Sequence, residues 1–230
     1  MRRARTGKWG RGSVARVTLA LCVLATLRPC VSFAQDPLAI VRRAGTLYRN
    51  LTSLQADFIQ IIQDARLGDT LSSAGRLYQS GQNNFAMRFS DPPDEAIVMD
   101  GRYSWFYTPS TAPRQVIRMA AESDPVYGQN LLARVLDRPS DRYETAWIRE
   151  DTVGGRRVSV VSIVPRGSNL NFSRAVLWLD QEDALPRRIE LDEGPGTRRI
   201  LTLSKIRTNT PIAPEIFEFK VPRGVRIVDQ

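Results

Sequence analysis

The sequence predicts a mainly β protein, an antiparallel meander of ten or eleven strands that curls toward a barrel. Three observations predict it. From Ser53 onward, apolar and polar residues alternate with a period of two in segment after segment, as in half-buried strands. Short clusters of Gly, Asp and Pro separate those segments, and Asp100-Gly101 is a strong hairpin signal. Helical spacing is confined to two places, so helices do not alternate with strands as a parallel sheet requires.

The elements follow in order. Asp36-Pro37 opens a helix with Leu38, Val41, Ala44 or Gly45, Tyr48 and Leu51 on one side and Arg42, Arg43 and Arg49 on the other. In the first strand Leu54, Ala56, Phe58, Gln60 and Ile62 alternate with Gln55, Asp57, Ile59, Ile61 and Gln63. Strand-like runs continue at Ser73–Ser80, Asn84–Phe89, Glu95–Met99, Arg102–Tyr107 and Arg114–Met119. Val126–Leu136 switches to helical spacing, with Leu131, Leu132, Val135 and Leu136. Alternation returns at Arg142–Glu150, Arg157–Val164, Phe172–Leu179, Pro186–Asp192 and Arg198–Ile206. The tail from Ile212 to Val228 carries Phe217, Phe219, Val221, Val225 and Ile227. No internal repeat or low-complexity linker divides the chain, whose 230 residues suffice for one domain with a real core.

The charge is not where the domain is. The chain holds 33 Lys+Arg against 24 Asp+Glu, a net charge of +9 that suggests nucleic acid or an acidic membrane. Residues 1–16, however, carry six basic residues and no acid, and Val17–Leu27 follows as an apolar run too short to span a bilayer. Ser32 and Ala34 complete a small-x-small cleavage site, so residues 1–34 read as a signal peptide, cleaved near Ala34. The pair Arg2-Arg3 lacks the apolar residues of a twin-arginine signal, and neither Cys22 nor Cys30 follows the small residue of a lipoprotein cleavage box. Cleavage takes seven of the 33 basic residues and none of the 24 acids, leaving 26 against 24. It also removes both cysteines. The argument for a nucleic-acid partner goes with them.

What remains excludes much chemistry. With no histidine, neither a Ser-His-Asp unit nor a His-ligated metal site can be built. Without cysteine the secreted portion has no thiolate and must hold itself by its core. Asp91, Asp94, Glu95 and Asp100 form a carboxylate cluster of the kind used in glycoside hydrolysis, but they flank turns, where acids are common. Asp180–Asp183 lacks the ligand spacing and glycine of a calcium loop and reads as a hairpin turn. Arg198-Arg199 and Lys205-Ile206-Arg207 read as a solvated face, the alternative being a docking patch for an acidic partner or lipid headgroups. No metal and no cofactor is expected.

The sheet carries more apolar residues than one core needs. Phe85, Met87 and Phe89 share a face, as do Tyr103, Trp105 and Tyr107, while Val176 and Trp178 alternate with Leu177 and Leu179. Alternation alone leaves two readings open: these residues are simply core, or they line a hydrophobic pocket between a half-closed sheet and helices acting as a lid.

Several segments carry a family resemblance. Ala56-Asp57-Phe58-Ile59-Gln60, after a short amphipathic helix, resembles the opening of the LolA family of periplasmic lipoprotein carriers. Ile97–Pro109 (IVMDGRYSWFYTP) looks like that family's most distinctive segment, a D-G hairpin followed by a W-x-Y-x-P strand. Gln115-Val116, the Leu131-Leu132 helix and the closing Phe217–Val225 (FEFKVPRGV) fall in the family's order, so the match covers nearly all of 36–230.

The resemblance implies an incomplete, half-open antiparallel β-barrel of about eleven strands, with helices as a lid over a hydrophobic cavity. It implies no enzymatic activity. The family receives lipoproteins from an inner-membrane ABC lipoprotein-release complex, holds their acyl chains, and delivers them to an outer-membrane lipoprotein receptor. The protein is accordingly expected in the periplasm, as a monomer. Strand parity and lid position then name the expected acyl-chain cavity: Phe58, Leu77, Phe85, Met87, Val98, Trp105, Val116, Leu131, Leu132 and Leu136. One departure stands out. Family members often carry a lid-holding arginine in the hairpin after the G-x-L strand, where this chain has Gly81, so either the lid is held differently here or Arg76 or Arg88 substitutes. The alternatives are a carrier of another lipid, or a lipid-sensing envelope regulator of the same fold. Such regulators append a second domain, and with Gln230 following directly on the last strand-like run a carrier is expected over a sensor.

Overall fold

The computed structural model describes residues 36–66, 68–81, 83–121, 130–167 and 170–230. The expected signal peptide and the first residues of the Val126–Leu136 segment lie outside them.

Helix α1 spans Pro37–Arg49. Asp36 caps it, its carboxylate accepting from the Leu38 amide at 2.9 Å, and Pro37 occupies the first turn, where no N–H is needed. Six strands follow: β1 (Ser53–Asp64), β2 (Asp69–Ser80), β3 (Asn84–Asp91), β4 (Pro93–Asp100), β5 (Tyr103–Tyr107) and β6 (Gln115–Ala120). The connection to the second half carries α2 (Leu131–Leu136) and the single turn α3 (Pro139–Arg142). Then come β7 (Tyr143–Val153), β8 (Arg156–Pro165), β9 (Arg174–Asp180), β10 (Pro186–Asp192) and β11 (Thr197–Thr208). A 3₁₀ turn at Pro214–Phe217 and β12 (Arg226–Asp229) close the chain.

All twelve strands join one sheet in the order β12-β6-β5-β4-β3-β2-β1-β11-β10-β9-β8-β7. Each half is a run of hairpins, and β1 pairs antiparallel with β11 to fuse the two. The sheet is open, with β7 and β12 as its edges. The mainly β fold with a half-open sheet and few helices is therefore as expected, with one correction. The described residues form twelve strands where about eleven were expected, and β12 pairs parallel with β6, so the meander is not wholly antiparallel. After the 3₁₀ turn the tail reaches β6 and runs parallel to it as β12.

Both faces of the sheet are apolar, and they are covered differently. The larger cluster lies under α1 and α2 and holds Phe58, Leu77, Phe85, Met87 and Met99 from the first half with Ile163, Leu177, Ile189 and Leu201 from the second. On the opposite face of β3–β6, Ala86, Val98, Trp105 and Val116 pack under Phe217 and Phe219 of the tail. A third cluster, Val158, Val160 and Trp178, sits on β8 and β9, with the Arg188 guanidinium 4.9 Å from the Trp178 ring.

Two glycines are required by close approach. A Cβ on Gly45 would lie 2.5 Å from the Leu136 carbonyl oxygen, so glycine lets α1 pack against the end of α2. A Cβ on Gly75 would lie 2.2 Å from the Arg88 carbonyl oxygen, at the bulge where β2 meets β3.

Candidate functional site: the helix-covered face

Strand parity builds this face. Phe58 on β1, Leu77 on β2 and Phe85 and Met87 on β3 point to the side where α2 lies, and all four are buried. Phe89, on the same face, meets Phe58 edge-to-face at 5.1 Å. Helix α2 covers them: all six of its residues are buried, with Leu132, Val135 and Leu136 at 0% exposure. Seven of the ten residues expected to line the cavity are thus brought together: Phe58, Leu77, Phe85, Met87, Leu131, Leu132 and Leu136.

The other three are elsewhere. Val98, Trp105 and Val116 lie on the opposite face, beneath the tail, with Trp105 stacked on Phe219 at 5.5 Å. The physical reason is register. Val98 pairs with Ala86, which alternates with Phe85 and Met87, so Val98 must point away from them, and Met99 and Ile97 take the inward positions. Trp105 pairs with Val98 and shares its side.

The helices are held by a buried polar cluster that the sequence reading missed. The Tyr48 hydroxyl on α1 donates to Gln79 Oε1 on β2 at 2.7 Å. Asn130 Nδ2 donates to the Tyr48 hydroxyl at 2.9 Å and to Gln79 Oε1 at 3.1 Å. Asn130 Oδ1 caps α2 by accepting from the Leu132 and Ala133 amides at 3.1 and 3.2 Å. Gln79 Nε2 in turn donates to the Gly81 carbonyl at 3.0 Å, so the cluster is anchored at the hairpin where the family arginine was expected. Burial pushes the Tyr48 phenol far above its ordinary value, against the opposing hydrogen bonds from Asn130 and Gln79, and it stays neutral.

Neither proposed substitute for that arginine reaches the helices. Arg76 pairs with Asp57 at 3.1 Å, at the surface. Arg88 donates to the Ile216 and Glu218 carbonyls, both at 2.8 Å, and so holds the tail. Both alternate with the inward-facing Leu77 and Met87 and therefore point to the other side.

The far end of α2 is held by charge. Arg134, 7% exposed, lies 3.5 Å from Glu193, which also accepts from Arg199 at 2.9 Å. The Tyr143 hydroxyl donates to the Arg134 carbonyl.

Of the acids set aside as turn formers, Asp100 and Asp180 organise turns, whereas Asp91, Asp94 and Glu95 lie on β3 and β4. Asp100 accepts from the Arg102 and Tyr103 amides and from Trp105 Nε1 at 2.9, 2.7 and 2.9 Å. Asp180 accepts from Arg156 at 2.7 Å and Arg187 at 3.0 Å and organises the β9–β10 turn. Burial would raise its pKa, but those bonds and the Glu182 and Asp183 amides hold it well below the ordinary carboxylate range.

Open space lies beside the helices. A groove of about 750 Å³ runs between α1, the β9–β10 turn and the end of β11. A cavity of about 520 Å³ on the outer side of β1–β3 touches Phe58, Gly75 and Arg88.

The sequence model described as "Outer membrane lipoprotein carrier protein LolA" matches residues 49–220, most of the chain. The outer-membrane lipoprotein carrier protein of Alkalilimnicola ehrlichii is 27% identical over 213 residues, covering 93% of each chain. That of Pasteurella multocida is 25% identical over 177 residues, covering 77% of this chain and 80% of the relative. An uncharacterized conserved protein from Thermus thermophilus shares the fold, with a TM-score of 0.52 and 15% identity over 85% of this chain and 100% of the other. The family is one of periplasmic carriers, not of enzymes. On the extent of the family match, this chain belongs to the LolA family of outer membrane lipoprotein carrier proteins.

Proposed function

We propose that this chain is a periplasmic chaperone that takes lipoprotein acyl chains from an inner-membrane ABC release complex and carries them to an outer-membrane receptor. In this reading residues 1–34 are removed on secretion, the mature chain works as a monomer, and no catalysis or cofactor is involved. The observation that carries it is the helix-covered face, where short α2 closes over a continuous apolar surface. Phe58, Leu77, Phe85, Met87, Leu131, Leu132 and Leu136 already pack against one another there, so room for a tail is made by moving α2.

Magnitudes support the exchange. Burying Leu131, Leu132, Val135 and Leu136 is worth about 1.5–3 kcal/mol each, on the order of 6–12 kcal/mol for the lid. A sixteen-carbon tail costs on the order of 10 kcal/mol to hold in water at about 0.8 kcal/mol per methylene. A tail can therefore replace the lid side chains at little net cost, which gives the modest affinity a donor-to-acceptor carrier needs. The test is mass spectrometry of lipoprotein co-purifying with periplasmically expressed protein, together with extraction of lipoprotein from inner-membrane vesicles. Wild type should do both and Leu132→Glu neither, with the β fold kept by circular dichroism. Wild-type protein that carries nothing and extracts nothing would refute the reading.

A further inference from the structure

We infer that the groove beside α1 binds an anionic lipid, with its head at Arg42 and Arg43 and one acyl tail laid along the helix toward Leu51. This ligand differs from the lipoprotein cargo proposed above, and holding it requires no movement of α2.

The groove is built on the side of α1 that faces away from the core. Val41, Ala44, Gly45 and Tyr48 are buried under the helix, whereas Ala39, Arg42, Arg43, Thr46, Leu47 and Leu51 line the groove. Opposite them stand Leu185 and the β9–β10 turn. Its volume, about 750 Å³, lies in the range of small-molecule sites. Leu47 is 37% exposed there, an apolar side chain with unfilled space beside it. Leu51 and Leu185 both touch the main core, so the floor is continuous with apolar interior.

Length fits a single tail. From Arg42 to the end of α1 at Arg49 the helix advances about 10.5 Å at 1.5 Å per residue, and Asn50 and Leu51 carry the path a few ångströms further. One leaflet of a bilayer core is about 15 Å deep, half of roughly 30 Å, which is the reach of one tail.

Charge selects the head. The groove holds two acids and two arginines, and the acids are already compensated. Glu182 pairs with Arg156 at 2.9 Å, and Asp183 pairs with Arg187. The arginines are not. Arg43 donates to the carbonyls of Gln181 and Glu182 at 3.1 and 2.7 Å, and Arg42 Nε donates to the Ser140 hydroxyl at 3.1 Å. Neither guanidinium forms an ion pair among the described residues. Two cations without ion-pair partners at the rim of an apolar trough suit a phosphate or carboxylate on a tail better than either a neutral lipid, which leaves the arginines unpaired, or a bare anion, which leaves the trough unfilled.

The test uses protein expressed from the full chain and titrates three probes by calorimetry and native mass spectrometry. Palmitoyl lysophosphatidylglycerol has one tail and an anionic head, palmitoyl lysophosphatidylcholine has the same tail and no net charge, and glycerol phosphate has no tail. The anionic lysolipid should bind about tenfold more tightly than the zwitterionic one, and glycerol phosphate should not bind. Arg42→Gln should erase the preference, and Leu47→Glu should weaken both lysolipids about tenfold. Both positions are exposed, so both variants should keep the β fold, which circular dichroism checks. Equal affinity for the two lysolipids, or binding untouched by both substitutions, would overturn the inference. Protein that binds a triacylated lipopeptide but not the lysolipid overturns this site alone. Protein that binds the lysolipid but no lipopeptide overturns the carrier reading and leaves this site standing.

Discussion

The Tyr48 hydroxyl donates to Gln79 Oε1 at 2.7 Å in the dry interior, and that bond ties the first helix of the fold to its second strand. Asn130 completes the cluster and caps α2 with the same side chain, so the N-terminal end of the lid is closed by neutral hydrogen bonds, while Arg134 and Glu193 hold its other end. Opening the lid strands three buried polar groups together, which makes the closed state cooperative.

Asn130→Ala removes the cap and two donors at once. A lost cap costs about 1 kcal/mol, and the two bonds from Asn130 Nδ2 to Tyr48 and Gln79, which stay bonded to each other, add about 1–3 kcal/mol. Urea unfolding should show a loss of roughly 2–4 kcal/mol. A loss below about 0.5 kcal/mol, the scale of an ordinary surface change, would mean the cluster does not hold the lid.

Tyr48→Phe keeps the ring in place and deletes only the hydroxyl. The expected cost is about 1–2 kcal/mol by the same measurement. Acyl-lipid binding should tighten, because the closed competitor is weakened. Weaker binding would count against the latch.

Gly45→Ala tests the contact between α1 and α2. Alanine in a helix interior normally gains up to about 1 kcal/mol. Here its Cβ would collide with a backbone oxygen at 2.5 Å, so a net loss of about 1–3 kcal/mol is expected in thermal unfolding. A stabilised variant would show that the helices separate freely.

Asp180 gives a pH prediction. Its folded-state pKa lies below its unfolded value, so its contribution is complete at neutral pH and fades as pH falls below about 4. Its side chain is 1% exposed and faces two arginines. Asp180→Asn should therefore cost about 3 kcal/mol at pH 7, and the gap to wild type should narrow toward pH 3. A gap independent of pH would remove the charge from the account.

The strands, the first helix and the leucines of α2 could be read from the sequence because periodicity reports burial directly. Cavity membership could not be read to the same depth. Two apolar faces look alike in alternation, and only pairing register assigns Met99 inward and Val98 outward. The parallel β12 was hidden because four residues carry too little pattern to reveal a partner. The latch left a usable signal: Gln79 is a polar residue at an inward position of β2, in phase with Leu77, and Asn130 immediately precedes Leu131-Leu132 as a cap would. What the sequence lacked was the distance that makes them one cluster.

Hydrogen exchange at the α2 amides, measured with and without a triacylated lipopeptide, tests the central claim that the acyl tail takes the place of the lid. Binding should accelerate exchange across Leu132–Leu136 while β8 and β9 stay protected. Lipopeptide bound with α2 as protected as before would contradict it.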